Sequence, residues 1–409
     1  MGRDAVAGGL KAQSAWIQAA WRGAQRDLRL AGGWVAAAMA VALSAPGCTH
    51  GRPYVRADVA SPSLDAPPAR AILQRIILIG DAGAPSVDGE PVLLALRDTA
   101  NSLPEKTVVV YLGDNIYPSG VPEADAEGRA QAERALQAQL EAAGQARAVF
   151  VPGNHDWDQN APDGLERVRR QAEIVQAHPN ALFTPFPGCP GPYALDLTAA
   201  RVVALDTQWW LRGENAGPAC SYADTAAVIA GLVEDALRPP DGRPVVVVAH
   251  HPLRSRGPHG GFYTLGEWIF PSLMTNGGWR WVLLPLPGVG PLGRWLVRTD
   301  QDFVSRGNTA LRRRLGEALA TAPPLAYASG HDHGLQVFEG ETTASLLLVS
   351  GLGSSEKATP VGDEARTLFA HQHPGFMVLD ILADRAILRV VEPGTPAVVF
   401  RHEVALPQR

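Results

Sequence analysis

The sequence predicts an α/β protein in which two β-sheets pack as a sandwich with helices outside, and three observations carry that prediction. The chain has 409 residues, 46% of them hydrophobic and 19% charged, which is enough apolar material for one large core or two smaller ones. From about Ala71 onward, apolar runs of strand length alternate with helix-like segments, the usual signature of α/β architecture. Five of the runs end in Asp, Asn or His, at the edge where open α/β sheets bind ligands.

In chain order, the first element is a targeting segment. Arg22, Arg26 and Arg29 precede the uncharged run from Leu30 to Ala45, which falls short of the roughly 20 apolar residues of a membrane span and suits a signal h-region. Ala45 and Gly47 before Cys48 resemble a degenerate bacterial lipobox, which would leave Cys48 lipidated at the mature N-terminus. An uncleaved anchor helix and plain secretion are the alternative readings. The chain thus divides into a targeting segment 1–47, a Pro/Ala-rich tether 48–70 and a folded domain 71–409, expected in a periplasm or cell envelope. Cys189 and Cys220 lie in Pro/Gly-rich loops, and in an exported chain such a pair is expected to form a disulfide. The net charge of -5 supplies no basic field for polyanions, so no nucleic-acid partner is expected. The tribasic run Arg312 to Arg314 reads as the solvated face of a helix.

The strand ends carry the chemistry. "RIILIG" ends in Asp81; "TVVVYLG" ends in Asp114, with Tyr117 three residues on; "ARAVFVPG" ends in Asn154 and His155; "PVVVVA" ends in His250 and His251; "PLAYASG" ends in His331 and His333. Glycine precedes four of the five ends, letting the backbone turn and approach a bound ion or phosphate. Singly, each residue has an ordinary explanation: an Asp after a strand caps a helix, and Tyr117 packs on Pro118. Together, carboxylate, amide and imidazole groups gathered from five strand ends serve no packing purpose. They form a hard-to-borderline donor set suited to Zn, Mn or Fe. Asp81, Asp114, Tyr117, Asn154, His250, His331 and His333 are donors enough for two ions, with Asp114 as the natural bridge.

In this order, "GDAG", "GDNIY", "GNHD", "VVAHHP" and "GHDHGLQ" resemble the five motif blocks of calcineurin-like metallophosphoesterases. More narrowly, they resemble purple acid phosphatases of the tartrate-resistant type, over roughly Ile76 to Glu339. The resemblance implies a metallophosphoesterase-type four-layer sandwich, two metal ions, and hydrolysis of a small phosphomonoester by metal-bound hydroxide. Phosphodiesters or nucleotides are the alternative substrates, and a noncatalytic surface lipoprotein is the alternative of another class. Asp81, Asp114, Tyr117 and His333 would hold the first metal; Asp114, Asn154, His250 and His331 would hold the second. Gly83 stands where many relatives have a metal-ligating histidine, and the purple acid phosphatase pattern supplies a tyrosine at Tyr117 instead. A tyrosinate is a hard anionic donor that favours Fe(III) at the first site, with Fe, Zn or Mn at the second. By the same resemblance, His155 and His259 would hold the phosphate and protonate the leaving alkoxide. Relatives orient the histidine of the G-N-H block with an Asp that is replaced here by Tyr117, so the partner of His155 is left open.

Between the His259 loop and the last motif lies an apolar insertion, 262–307, with Trp268, Trp279, Trp281 and Trp295. It reads as a lid or wall over the site, as a packed cap, or as a membrane-contacting surface; a membrane would otherwise be reached through Cys48. His371 and His373, in "HQH", read as loop residues ahead of the strand "GFMVLDI". The strand runs from Gly375 to Val404 are expected to complete a second sheet.

Overall fold

The computed structural model describes residues 52–406 apart from 62, 214–218, 271–272, 274–283, 298, 355–357 and 395–396, and apart from the side chains of Trp295 and Val297. The targeting segment with Cys48, together with Trp279 and Trp281, lies outside the described residues. Among those described, no helix is long and apolar enough to cross a membrane.

Two mixed sheets make the sandwich. The seven-stranded sheet runs in the order β15 (Val398–Ala405), β14 (Arg385–Val391), β13 (Phe376–Ile381), β2 (Gln74–Ile79), β3 (Thr107–Tyr111), β4 (Arg147–Phe150), β5 (Ala181–Phe183). The eight-stranded sheet runs β1 (Tyr54–Val55), β12 (Thr367–His371), β10 (Leu335–Glu339), β11 (Leu346–Ser350), β9 (Ala326–Ser329), β8 (Val245–Val248), β7 (Arg201–Ala204), β6 (Tyr193–Asp196). Both sheets are buried on both faces, which is why their central strands read as unbroken apolar runs rather than alternating ones.

Strand periodicity sorts these residues into layers. Ile76, Leu78, Val108 and Val110 face inward and meet Val202, Val246, Val248 and Leu348 of the other sheet. Their neighbours Ile77, Ile79, Val109 and Tyr111 face outward and are covered by the helices Pro91–Asn101, Arg129–Ala143 and Gly164–Gln176 through Val92, Leu96, Leu136 and Val168. The outer face of the eight-stranded sheet is covered likewise, with Val228 and Leu232 on one helical segment and Leu311 and Leu315 on the helix Arg306–Leu319. That makes four layers, helix on sheet on sheet on helix. β2, β3 and β4 are parallel, as are β7, β8, β9 and β11. Their C-terminal ends therefore open at one pole of the sandwich.

Four expectations are corrected. The described part of the 48–70 segment does not hang free: Tyr54 and Val55 pair antiparallel with Ala370 and Phe369, and Arg56 bonds Glu339. Two β-residues carry no periodicity, which is why composition alone suggested a tether. The C-terminal strands do not build the second sheet; β13 pairs with β2, Met377 opposite Leu78, and extends the sheet of the first motifs. His371 closes β12 rather than lying in a loop, and it bonds Glu392. In the basic helix, Arg312 lies over the Phe303 ring at 3.9 Å while Arg313 faces solvent beside Glu317, so only part of the run is a solvated face. The disulfide Cys189–Cys220 is formed.

Candidate metal centre

At the pole where the parallel strands end, the sequence-predicted donors come together. Asp81, Asp114 and His331 take left-handed backbone conformations, with φ of 58°, 52° and 74°, which cost a side-chain-bearing residue about 1–2 kcal/mol each. Such strain persists only where surrounding bonds hold it. Asp81 donates its N–H to Gly113 O at 2.9 Å, tying the ends of β2 and β3. Each carboxylate then divides its two oxygens. Asp114 Oδ1 accepts from His155 N at 2.8 Å, and Asp81 Oδ2 accepts from His331 N at 2.8 Å. A β-carbon on Gly153 or Gly330 would lie 2.3 Å from these oxygens, so glycine is what lets the backbone come so close.

The remaining oxygens face two sets of donors. Tyr117 Oη lies 2.9 Å from Asp81 Oδ1, 3.2 Å from Asp114 Oδ2 and 3.2 Å from His333 Nε2. On the other side of Asp114, Oδ2 is 3.4 Å from His250 Nε2. Asn154 Oδ1 is 2.8 Å from that same nitrogen and 3.0 Å from His331 Nδ1. The far nitrogens are committed: His250 Nδ1 donates to Leu112 O at 3.0 Å and His331 Nε2 to Gln301 O at 3.1 Å. Carbonyls only accept, so both rings turn their other nitrogens toward each other, 3.1 Å apart. Two lone pairs at that distance repel unless a proton or a cation lies between them. The donor set therefore fits a cation on each side of Asp114, and all seven predicted donors are present.

The electrostatics supply that proton on the His250 ring, whose place a bound cation would take, and leave His331 neutral. Burial disfavours a charged His250, yet the Asp114 carboxylate outweighs it and brings the ring up to about 9. Burial would raise Asp114, but His250 and His155 hold it below the ordinary carboxylate range. His331 is pushed well below the usual histidine value by burial and by His259, which keeps it neutral, the form that binds metal. His251 lies close enough to His250 and His331 to join them. Both its nitrogens are taken, however, by Thr207 Oγ1 at 2.8 Å and Gln301 Oε1 at 2.7 Å. Burial, with His250 beside it, pushes His251 to about 3. It braces the site and does not face it.

On the rim stand the two histidines expected to touch phosphate. His155 Nδ1 lies 2.6 Å from Pro118 O, which supplies the partner that the sequence left open. Asp156 does not orient it; its carboxyl accepts from Gly153 N at 2.7 Å and Asn115 N at 3.0 Å, fastening two motif loops together. Burial, then the Asp114 charge, raises that carboxyl to about 8. His259 Nδ1 lies 2.9 Å from Asp302 Oδ1, and Arg294 bridges both, 2.6 Å from Asp302 and 3.0 Å from His259. Burial would raise Asp302, but His259 and Arg294 hold it below its usual range. A cleft of about 490 Å³ opens over the donors, with Arg294, Thr299, Gln301 and Asp302 of the insertion forming one wall. Those wall residues were not predicted, since nothing local in "RWLVRTDQD" marks them as site residues.

Sequence comparison matches residues 74–273 to the calcineurin-like phosphoesterase family, so the chain carries a domain of that kind. The match ends before His331 and His333, which the fold nevertheless delivers to the same site. No curated protein matches the chain. Among solved structures, GAP50, the anchor in the inner membrane complex of Plasmodium, is similar with a TM-score of 0.52 and 17% identity, over 82% of this chain and 90% of that one. PhoD aligns with a TM-score of 0.43 and 13% identity, over 82% of this chain and 72% of that one. The likeness to GAP50 shows a shared fold.

Proposed function

We propose that this calcineurin-like phosphoesterase domain hydrolyses phosphomonoesters with two bound cations, iron at the Tyr117 side and Fe, Zn or Mn at the Asn154 side. The observation that carries the reading is one carboxylate, Asp114, shared between two donor sets of different chemistry, a phenol with an imidazole on one side and an amide with two imidazoles on the other. Bound there, the cations would supply a positive grip on phosphoryl oxygens and an acidified water.

The rest falls to the chain's own side chains. His155, with Nδ1 donating to Pro118 O, turns Nε2 to the cleft and in its protonated form donates from it to a phosphate oxygen. His259, with Nδ1 held by Asp302, in its protonated form has the Nε2 proton to give to the departing alkoxide. Arg294 adds a fixed positive charge to the cleft wall. A polar cleft of this size suits a small ester. An exported setting is supported by the Cys189–Cys220 disulfide.

The test is metal content of the purified full chain together with turnover of p-nitrophenyl phosphate and its diester. Asn154→Ala should lose the second metal equivalent and lower kcat by about 100-fold or more. Two retained equivalents with undiminished turnover would sink the reading, and a preference for the diester would move the substrate class.

A further inference from the structure

We propose that the outer face of the helix Val289–Val297 docks on a lipid surface, so that the metal cleft is held beside the membrane to which the N-terminal apolar run leads. The proposal is independent of the hydrolytic reading.

Seven of the thirteen exposed large hydrophobic side chains among the described residues fall between 265 and 304. On the helix, Val289, Leu292 and Leu296 are spaced three and four apart and are 48%, 53% and 66% exposed. That spacing sets them on one stripe. Leu284 and Leu286, just before the helix, are also exposed. Arg294 leaves the opposite side to bond Asp302 and His259, so the helix has one face on the site and one on solvent. From 284 to 297 the chain has no acidic residue, hence nothing there to repel an anionic lipid surface.

The direction of β1 says what covers this face. Tyr54 pairs with Ala370 and Val55 with Phe369, while His371 pairs with Leu335, which directly follows the "GHDHG" block. β1 therefore starts at the metal pole and runs away from it, and the chain before Tyr54 leaves the domain at that pole. Nine residue steps lead from Ala45, the end of the apolar run, to Tyr54, a reach of at most about 32 Å; from Cys48 the reach is about 22 Å. Whether the run stays as an anchor or Cys48 carries lipid, the same pole faces the membrane. A second copy is the weaker occupant. A stripe on a nine-residue helix is about 13 Å long and about 10 Å wide, far below the roughly 800 Å² per partner of a stable dimer.

The experiment places an environment-sensitive fluorescent amino acid at Leu296 of the full chain, and separately at Glu105, which is exposed at the opposite pole ahead of β3. Each protein is reconstituted in phosphatidylethanolamine/phosphatidylglycerol vesicles whose acyl chains carry nitroxide quenchers. Emission at 296 should fall at least about two-fold against quencher-free vesicles, and emission at 105 should not change. Val289→Asp with Leu292→Asp should abolish the quenching at 296 while the chain still pellets with the vesicles. Should that variant fail to fold, the comparison of 296 with 105 in the otherwise unaltered chain decides. No quenching at 296, equal quenching at both positions, or quenching that survives in a folded Asp variant would overturn the proposal. A blue shift at 296 that grows with protein concentration and ignores the quencher would assign the face to a second copy instead. None of these readouts depends on bound metal or turnover.

Discussion

A β-carbon on Gly83 would lie 2.5 Å from Ile116 N and 2.7 Å from Asn115 C, because the "GDAG" turn lies directly on the "GDNIY" backbone and Gly83 O accepts from Tyr117 N at 3.1 Å. No side chain fits there, histidine included, and in the proposed centre Tyr117 would be the donor that takes its place. Gly83→Ala should destabilise the fold by about 1–3 kcal/mol, read as a fall of several degrees in the thermal midpoint; an unchanged midpoint would mean that the two turns separate easily. Tyr117→Phe removes only the oxygen that touches Asp81, Asp114 and His333. With iron bound, the wild-type chain should absorb in the visible through charge transfer from the phenolate, and the variant should be colourless and still folded. Colour that persists in the variant would refute Tyr117 as an iron ligand. Donors of this kind were legible in the sequence because each follows its strand within a few residues. Asp302 and Arg294 were not, since what makes them site residues is a meeting with His259 some forty residues away in the chain.

Among the elements, the insertion is bound into the centre rather than laid over it. The short segment after its helix gives a carbonyl to His331, a side-chain oxygen to His251 and a carboxylate to His259. Its wall-forming role was one of several readings the sequence left open, because apolar composition does not distinguish a wall from a cap or a docking face. Cys189–Cys220 lies elsewhere, closing 31 residues that include β6 and β7. Replacing both cysteines with serine should cost about 3–4 kcal/mol by the chain-entropy estimate. The thermal midpoint should fall while bound metal stays at two equivalents, since no donor lies in that loop. Loss of metal together with the midpoint would show that the loop supports the site. The strand β1 was illegible for an opposite reason, being only two residues long in a Pro/Ala-rich stretch.

For the whole molecule, the donors come from both sheets: Asp81, Asp114 and Asn154 from the ends of β2, β3 and β4, and His250 and His331 from β8 and β9. Cations bound between them, as proposed, would bind only the closed sandwich, and at 100-fold excess over Kd each such ligand would add about 2.7 kcal/mol of stability. Chelation of the purified protein should therefore lower its thermal midpoint by several degrees, and restored divalent metal should bring it back. A midpoint indifferent to stripped metal would mean that the sandwich closes without help. The fold class was legible because strand-length apolar runs alternate with helices. The partition of those runs between the sheets was not, because it depends on distant pairings. Those pairings also set an order in time. Leu78 waits for Met377, and Tyr54 for Ala370, partners roughly 300 residues apart, the kind of contact that makes folding slow. In a chain that emerges N-terminus first, β2 can pair with β3 early, but β1 and the other edge of β2 wait for β12 and β13. Both sheets stay open until the last fifth has emerged, so the covalent link of Cys189 to Cys220 can form first.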